Sequence, residues 1–323
     1  MSDGYSRAKT IVGGLCFGLS AFACAQYPNK PIRMIVPFPP GGGNDILARS
    51  VSQRLSDVVK QQIIVDNRGG AGGALGAHIA ASAAPDGYTL FLGSVGNLAQ
   101  NPALAANPAY DPVRDFAAVT LLATSVFVLA VNNALPAKTV AELIALAKAK
   151  PGVLNYASAG SGSSLHLAAE IFKHASNTNI THVPYKGANA AFVDMVGGQV
   201  QMILTTMPAA LPHVRAGRVR ALGTSGKKRA PVLAEVPTIA ETLVGFEVLN
   251  WQGIVVPART PREVMNSLHQ HLVTTLKAPG MNDMLAVQGL DAAGGGPDEF
   301  GPWIKAELTK YAGVVKAAGI RAD

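Results

Sequence analysis

The chain has 323 residues, of which 49% are hydrophobic, 15% charged and 6% aromatic, with 34 glycines and a formal net charge of +7. At about 150 residues per domain this length calls for two units, and so apolar a composition with so few charges excludes a disordered chain. No heptad or fixed-length repeat runs through it, and its basic residues are scattered apart from Lys227-Lys228-Arg229, without the aromatic-lined stripe of a nucleic-acid binder.

Residues 1–25 read as a secretory signal peptide. Arg7 and Lys9 precede an apolar stretch from Ile11 to Ala23, which closes on Ala23-Cys24-Ala25. The stretch is too short to span a bilayer, which takes about 20 apolar residues. An uncleaved anchor and a lipoprotein modified at Cys24 are the alternatives. Cleavage after Ala25 removes both Cys16 and Cys24, so the mature chain is expected in the periplasm without disulfides, zinc–thiolate sites or a cysteine nucleophile.

Strand and helix signals then alternate. Ile32–Val36 predicts a strand, a Pro/Gly loop follows, and Leu47, Val51, Leu55 and Val58 stripe a helix from Asp45 to Val59, with Asp45 as its N-cap. Strands are expected at Gln62–Val65 and Tyr88–Leu92, with a small-residue helix from Leu75 to Ala84 between them. This order argues for a parallel βαβ sheet. The pattern restarts near residue 125, with strands at Val126–Val131, Leu154–Ser158, Ile180–Pro184, Val200–Leu204 and Val219–Thr224, and a capping box at Thr139 and Glu142 opening a helix to Lys150. After a strand at Gly253–Val256 only helices are expected, at Arg262–Lys277, Gly280–Gln288 and Pro297–Ala318. Lacking strands of their own, these would pack back on the first sheet. The chain then forms two α/β lobes, residues 26–124 plus 250–323 and residues 125–249, with two crossings that permit hinging and a ligand cleft between the lobes.

Two loops are candidates for that cleft. Pro37-Phe38-Pro39-Pro40-Gly41-Gly42-Gly43-Asn44-Asp45 and Ala159-Gly160-Ser161-Gly162-Ser163-Ser164-Leu165-His166 each lead from a strand into a helix N-terminus. Unpaired N–H groups and the helix dipole there favour an anion, although a capped helix after a tight turn would look the same. Glycine admits close backbone approach, so bulk at Gly42 or Gly162 is expected to block binding. Neither loop ends in the Gly-Lys-Ser/Thr of a phosphate loop, and Gly69-Gly70-Ala71-Gly72-Gly73-Ala74-Leu75-Gly76 lacks dinucleotide spacing, so it is read as helix–sheet packing. There is no G-x-S-x-G elbow, no H-E-x-x-H and no metal-ligand spacing among the histidines, so neither catalytic residues, a metal nor a cofactor is expected. Lys186 faces the cleft or merely solvates its loop.

An ordered series of motifs spans nearly the whole mature chain: Ile35-Val36-Pro37-Phe38 with Gly41-Gly42 and Asp45; Asp66-Asn67-Arg68; Pro85-Asp86-Gly87-Tyr88; Asn155-Tyr156-Ala157-Ser158 with Gly160, Gly162, Ser163 and His166; His182-Val183-Pro184-Tyr185-Lys186-Gly187; Val236-Pro237-Thr238; and Trp251 before Pro257. With these the sequence resembles the substrate-binding proteins of tripartite tricarboxylate transporters, the Bug-type periplasmic receptors. The resemblance implies a type II periplasmic-binding fold, closing on a small carboxylate held largely through backbone groups of the two loops. Carried onto this sequence, the ligand-binding residues are Phe38, Gly41, Gly42, Gly43, Asn44, Asp45, Ser158, Gly160, Ser161, Gly162, Ser163, Ser164 and His166. Asn44 departs from the family, where serine or threonine is commoner, and Thr205-Thr206-Met207-Pro208 is a stretch that tunes specificity. The partners implied are a carboxylate and either transmembrane transporter subunits or a sensor kinase ectodomain, with the receptor itself a monomer and not an enzyme. A cleft hydrolase or transferase is the rival, separable by turnover of its substrate.

Overall fold

In the computed structural model the described residues are 27–320; the signal peptide expected at residues 1–25, with both cysteines, lies outside them. Ten strands form one mixed sheet. They are β1 (Ile32–Val36), β2 (Ile63–Asn67), β3 (Thr89–Ser94), β4 (Phe116–Asn132), β5 (Asn155–Ser158), β6 (Thr181–Pro184), β7 (Met202–Thr206), β8 (Val219–Thr224), β9 (Leu249–Pro257) and β10 (Asp291–Gly295). The helices are α1 (Gly43–Val59), α2 (Ala74–Ala81), α3 (Asn101–Leu104), α4 (Val140–Ala149), α5 (Ser164–Ser176), α6 (Ala188–Val196), α7 (Met207–Arg215), α8 (Arg262–Leu276), α9 (Met281–Val287) and α10 (Pro297–Ala318). Among the described residues no helix is long and apolar enough to cross a membrane.

The strand order is β2-β1-β3-β9-β4-β7-β5-β6, with β8 and β10 also paired to β4. β1 runs parallel to β2 and β3, and β5 runs parallel to β6 and β7, each through a helical crossover. Between these two parallel groups stands β4. Its first half pairs antiparallel with β9, from Phe116 opposite Pro257 to Val126 opposite Leu249. Its second half pairs with β7 and β8, from Phe127 opposite Thr206 to Asn132 opposite Val219. One apolar cluster is drawn from residues 127–248, around Phe127, Tyr156, Phe172 and Phe192. Two others join the early strands to α8, α9 and α10, through Leu272 and Leu285 on one face and Trp251, Phe300 and Tyr311 on the other. The C-terminal helices therefore do pack back on the first sheet.

Two expectations are corrected. The strand read as Val126–Val131 begins at Phe116 and is 17 residues long, because Ala117, Ala118 and Ala123 dilute the β-branched signal of a buried strand. The segment after Pro257 is not purely helical either. Asp291 and Ala292 pair with Thr124 and Ala123, and Gly295 pairs with Leu121 after a register shift. Glycine is depleted in strands, so the run Asp291-Ala292-Ala293-Gly294-Gly295 gives no strand signal.

Candidate functional site

The loop between β1 and α1 is built around a carboxylate. Asp45 is not the N-cap: Gly42 occupies that place, and Asp45 is the third helical residue, 3% exposed. Its Oδ2 accepts from the Gly41 N–H and from Arg49 Nε, both at 2.9 Å, and its Oδ1 accepts from Asn67 Nδ2 at 2.9 Å. Asn67 Nδ2 also donates to the Phe38 carbonyl at 2.9 Å. Burial alone would raise the Asp45 carboxyl, but the hydrogen bonds of Arg49, Gly41 and Asn67 and the Arg49 charge outweigh it and hold the pKa below the usual carboxylate range. The first α-helical bond runs from Ile46 N–H to the Gly42 carbonyl, which leaves the N–H groups of Gly43, Asn44 and Asp45 without intrahelical acceptors.

The loop between β5 and α5 is held by neutral groups. Ser163, the N-cap, accepts the His166 N–H at 3.3 Å, the Gly162 N–H donates to His166 Nδ1 at 3.2 Å, and the Ser163 N–H donates to the Gly160 carbonyl at 3.0 Å. Ser158 Oγ takes the Gly160 N–H at 3.1 Å and pairs with His182 Nε2 at 2.7 Å. The imidazoles of His166 and His182 stack at 4.2 Å, and Tyr156 stacks on His182 at 4.8 Å. Among the described residues, the N–H groups of Ser164 and Leu165 at this helix start then have no protein acceptor.

Both loops open on one cavity of about 350 Å³. Phe38, Pro39, Pro40, Gly42, Gly43 and Asn44 line it from one side, and Ala159, Ser164, Leu165 and the segment Lys186–Ala190 from the other, with Thr206. A second chamber of about 670 Å³ shares Phe38, Pro39, Pro40, Ala159 and Lys186, and adds Gly160, Ser161, Asn67 and the Gly69–Gly72 run. Two further helix starts reach the first cavity, one of them within the Thr205–Pro208 stretch expected to tune specificity. Gly187 is the N-cap of α6 and Thr206 that of α7, so four helices present their positive ends there. Lys186, exposed at the mouth, is the one charged residue lining either chamber among the described residues.

The thirteen residues read from sequence thus fall into two groups. Phe38, Gly42, Gly43, Asn44 and Ser164 line the first cavity, and Gly160 and Ser161 line the second. Gly41, Asp45, Ser158, Gly162, Ser163 and His166 lie behind them as supports, with Ser158, Ser163 and His166 at most 1% exposed. Of the other lining residues, Thr206 falls in the stretch expected to tune specificity, Lys186 was a cation of undecided direction, and Asn189 was not singled out from the sequence. The Gly69–Gly76 run does pack a helix, since a Cβ at Gly76 would meet the Arg68 carbonyl at 2.7 Å and Pro37 Cα at 3.0 Å. It does more: a Cβ at Gly72 would strike the Ser161 carbonyl of the opposite loop. Asn189 Nδ2 adds a hydrogen bond to the Pro40 carbonyl at 3.0 Å across the cleft.

The model of the tripartite tricarboxylate transporter family receptor matches residues 47–320. The chain belongs to that family. BugT of Bordetella pertussis is 36% identical over 307 residues, 94% of each chain. Among solved structures, an R. palustris protein with adipate, Rpa4515, superposes with a TM-score of 0.88 at 35% identity, covering 91% of this chain and 99% of that one. MatC from Rhodopseudomonas palustris with bound malate gives a TM-score of 0.85 at 30% identity, covering 90% and 100%. The receptor therefore has the two-lobed α/β fold of periplasmic binding proteins, and its family consists of periplasmic solute-binding receptors, not enzymes.

Proposed function

We propose that the receptor captures a small organic acid in this cleft and delivers it to transporter subunits in the membrane. The observation that carries the reading is the convergence of four helix N-termini on one cavity whose remaining lining is apolar apart from Lys186. A carboxylate seated there takes the N–H groups of Gly43, Asn44, Ser164 and Leu165, while Phe38, Pro39 and Leu165 cover its apolar body. Hydrogen bonds to a charged group contribute about 1.5–3 kcal/mol each, and the dipoles add up to ~2 kcal/mol when partly buried. Micromolar affinity, near −8 kcal/mol, is within reach without a bidentate arginine. The carboxylates bound by the two R. palustris relatives support the same chemistry.

The lobes are residues 26–124 with 250–323, and 125–249, because β4 changes partners between Val126 and Phe127. Contacts such as Gly72 against Ser161 and Asn189 with Pro40 form as they close on ligand. The chain reaches the periplasm through its signal peptide, so its mature form begins at Gln26.

Mass spectrometry of the denatured, freshly purified receptor is expected to reveal a carried organic acid, and calorimetry to reproduce its binding. A receptor that carries none, and that binds neither malate nor adipate, would sink the reading. Intact mass of the periplasmic fraction decides the start at Gln26; retention of residues 1–25 counts against it.

A further inference from the structure

One charge at the cleft stands where the local field opposes it. Lys186 lines both chambers and is exposed at their mouth. The next residue, Gly187, is the N-cap of α6, and the starts of α1, α5 and α7 reach the same cavity. Each helix start carries about half a positive charge, so a cation is favoured at the other end of a helix and disfavoured here. No acid relieves it. Among the described residues Lys186 makes no ion pair and no side-chain hydrogen bond, and no aspartate or glutamate lines either chamber. The cations near the loop before α1 are placed differently. Arg49 pairs with Asp45 at 2.9 Å and Arg68 with Asp66 at 2.9 Å, so a carboxylate already answers each of them.

A residue that breaks a local rule without compensation inside the fold marks a functional demand. What answers Lys186 is an anion arriving through the mouth. Such a cation can hold the anion once it is bound, or it can draw the anion in. Exposure decides between the two. The head of an exposed lysine stays hydrated, and a surface ion pair adds little to a bound complex. A charge on the rim of a site acts chiefly on the rate of encounter and on its dependence on salt. Low-dielectric walls, such as those of this cleft, focus that field on the opening.

We infer that Lys186 is the recruiting residue of the receptor. Its charge steers the anionic ligand to the cleft and sets the rate of capture, while the helix starts set how long the ligand stays. This inference rests on the carboxylate reading above and assigns one residue to one step of binding.

The test is stopped-flow fluorescence with malate and adipate, the observed rate against concentration giving kon and displacement giving koff. At about 10 mM salt the screening length is about 30 Å. Lys186→Gln is expected to lower kon there about three- to tenfold, and Lys186→Glu by more, with koff within about twofold of wild type. Lys186→Arg should keep the wild-type rate. At about 1 M salt, with a screening length of about 3 Å, wild type and Lys186→Gln should associate at rates within about twofold of each other. Lys60→Gln removes the same net charge beyond the last residue of α1, about 25 Å from that helix's start. It should change kon by less than about twofold, which separates place from net charge. Circular dichroism establishes folding in each variant. An unchanged kon in Lys186→Gln at low salt, an equal fall in Lys60→Gln, or a loss of affinity that appears in koff overturns the inference and leaves the carboxylate reading standing. In the last case Lys186 holds the bound ligand. Wild type that binds neither acid overturns the carboxylate reading, and this inference with it.

Discussion

The loop before α1 and the loop before α5 bring helix starts to the same cavity on opposite kinds of support. The first hangs on an ion pair: Asp45 holds Gly41, Arg49 and Asn67, and the Arg49 side chain is 56% exposed, so its charge stays solvated. The second is held by a serine cap, two stacked imidazoles and Ser158, in surroundings where Ser158 and Ser163 have no exposure at all. A charged strut is affordable where one partner reaches water, and a neutral one is needed where neither does. In both loops the supports consume the donors behind the cavity and leave the foremost N–H groups unpaired. An anion site can therefore be rebuilt on different scaffolding so long as that leftover is preserved.

The largest effect should come from closing the space between the loops. Gly43 is helical and its missing side chain leaves room for Thr206 Oγ1, which a Cβ would strike. Gly43→Val is expected to weaken binding more than about 100-fold, near 2.7 kcal/mol, with the fold retained. Gly42, expected from sequence to be equally sensitive, is not: a Cβ there meets nothing nearer than the Pro39 carbonyl at 3.9 Å, at φ −79°. Gly42→Ala should cost no more than about threefold. Gly162 remains sensitive for a different reason, its φ of +76° and its contact with Asn101. Calorimetry on Gly43→Val, Gly42→Ala and Gly162→Ala separates these cases, and equal losses at Gly42 and Gly43 would contradict this geometry.

That contrast marks what the sequence could and could not yield. Both βα loops were legible because glycines and small polar residues follow a strand and precede an apolar 3.6-residue stripe. The run Leu47, Val51, Leu55 is such a stripe, and all three residues are fully buried. Which glycine matters was not legible, because the atom opposite Gly43 belongs to Thr206, more than a hundred residues away in the chain. The same holds for His166. Its place beside a glycine loop suggested ligand contact, but its Nδ1 serves Gly162 and its ring packs on His182. β10 escaped because its pairing with β4 compensates for a composition that would not form a strand alone.

The difference in support predicts a difference in acid. Asp45→Asn removes the charge that gathers Gly41, Arg49 and Asn67, and should destabilise the receptor by about 2 kcal/mol at neutral pH, the exposed share of Arg49 being discounted for solvent. Because folding depresses the Asp45 pKa, its contribution is complete above the unfolded value, near 4, and fades as pH falls through the lower folded value. Wild type should thus lose stability steeply below about pH 4, and Asp45→Asn less steeply. Urea unfolding across that range checks the sign. A variant as steep as wild type would mean that other carboxylates, such as Asp66 between Arg33 and Arg68, dominate.

The smallest effect probes the neutral loop. Ser163 Oγ already accepts the His166 N–H, so its loss is first the loss of an N-cap, about 1 kcal/mol of stability. Ligand affinity should fall by less than tenfold, because the Ser164 and Leu165 N–H groups do not depend on that oxygen for their freedom. Thr139 provides the control. It caps α4 by accepting the Glu142 N–H at 3.1 Å, while Glu142 Oε2 reaches the Lys138 N–H and not that of Thr139, so the capping box read there is only half formed. Neither Thr139 nor α4 lines the cavity. Ser163→Ala and Thr139→Ala should then show similar urea midpoints, and only the first should change affinity at all. If Ser163→Ala binds more than tenfold weaker while unfolding like wild type, Ser163 Oγ touches the ligand. The α5 loop would then be a direct contact at its cap as well as at its first turn.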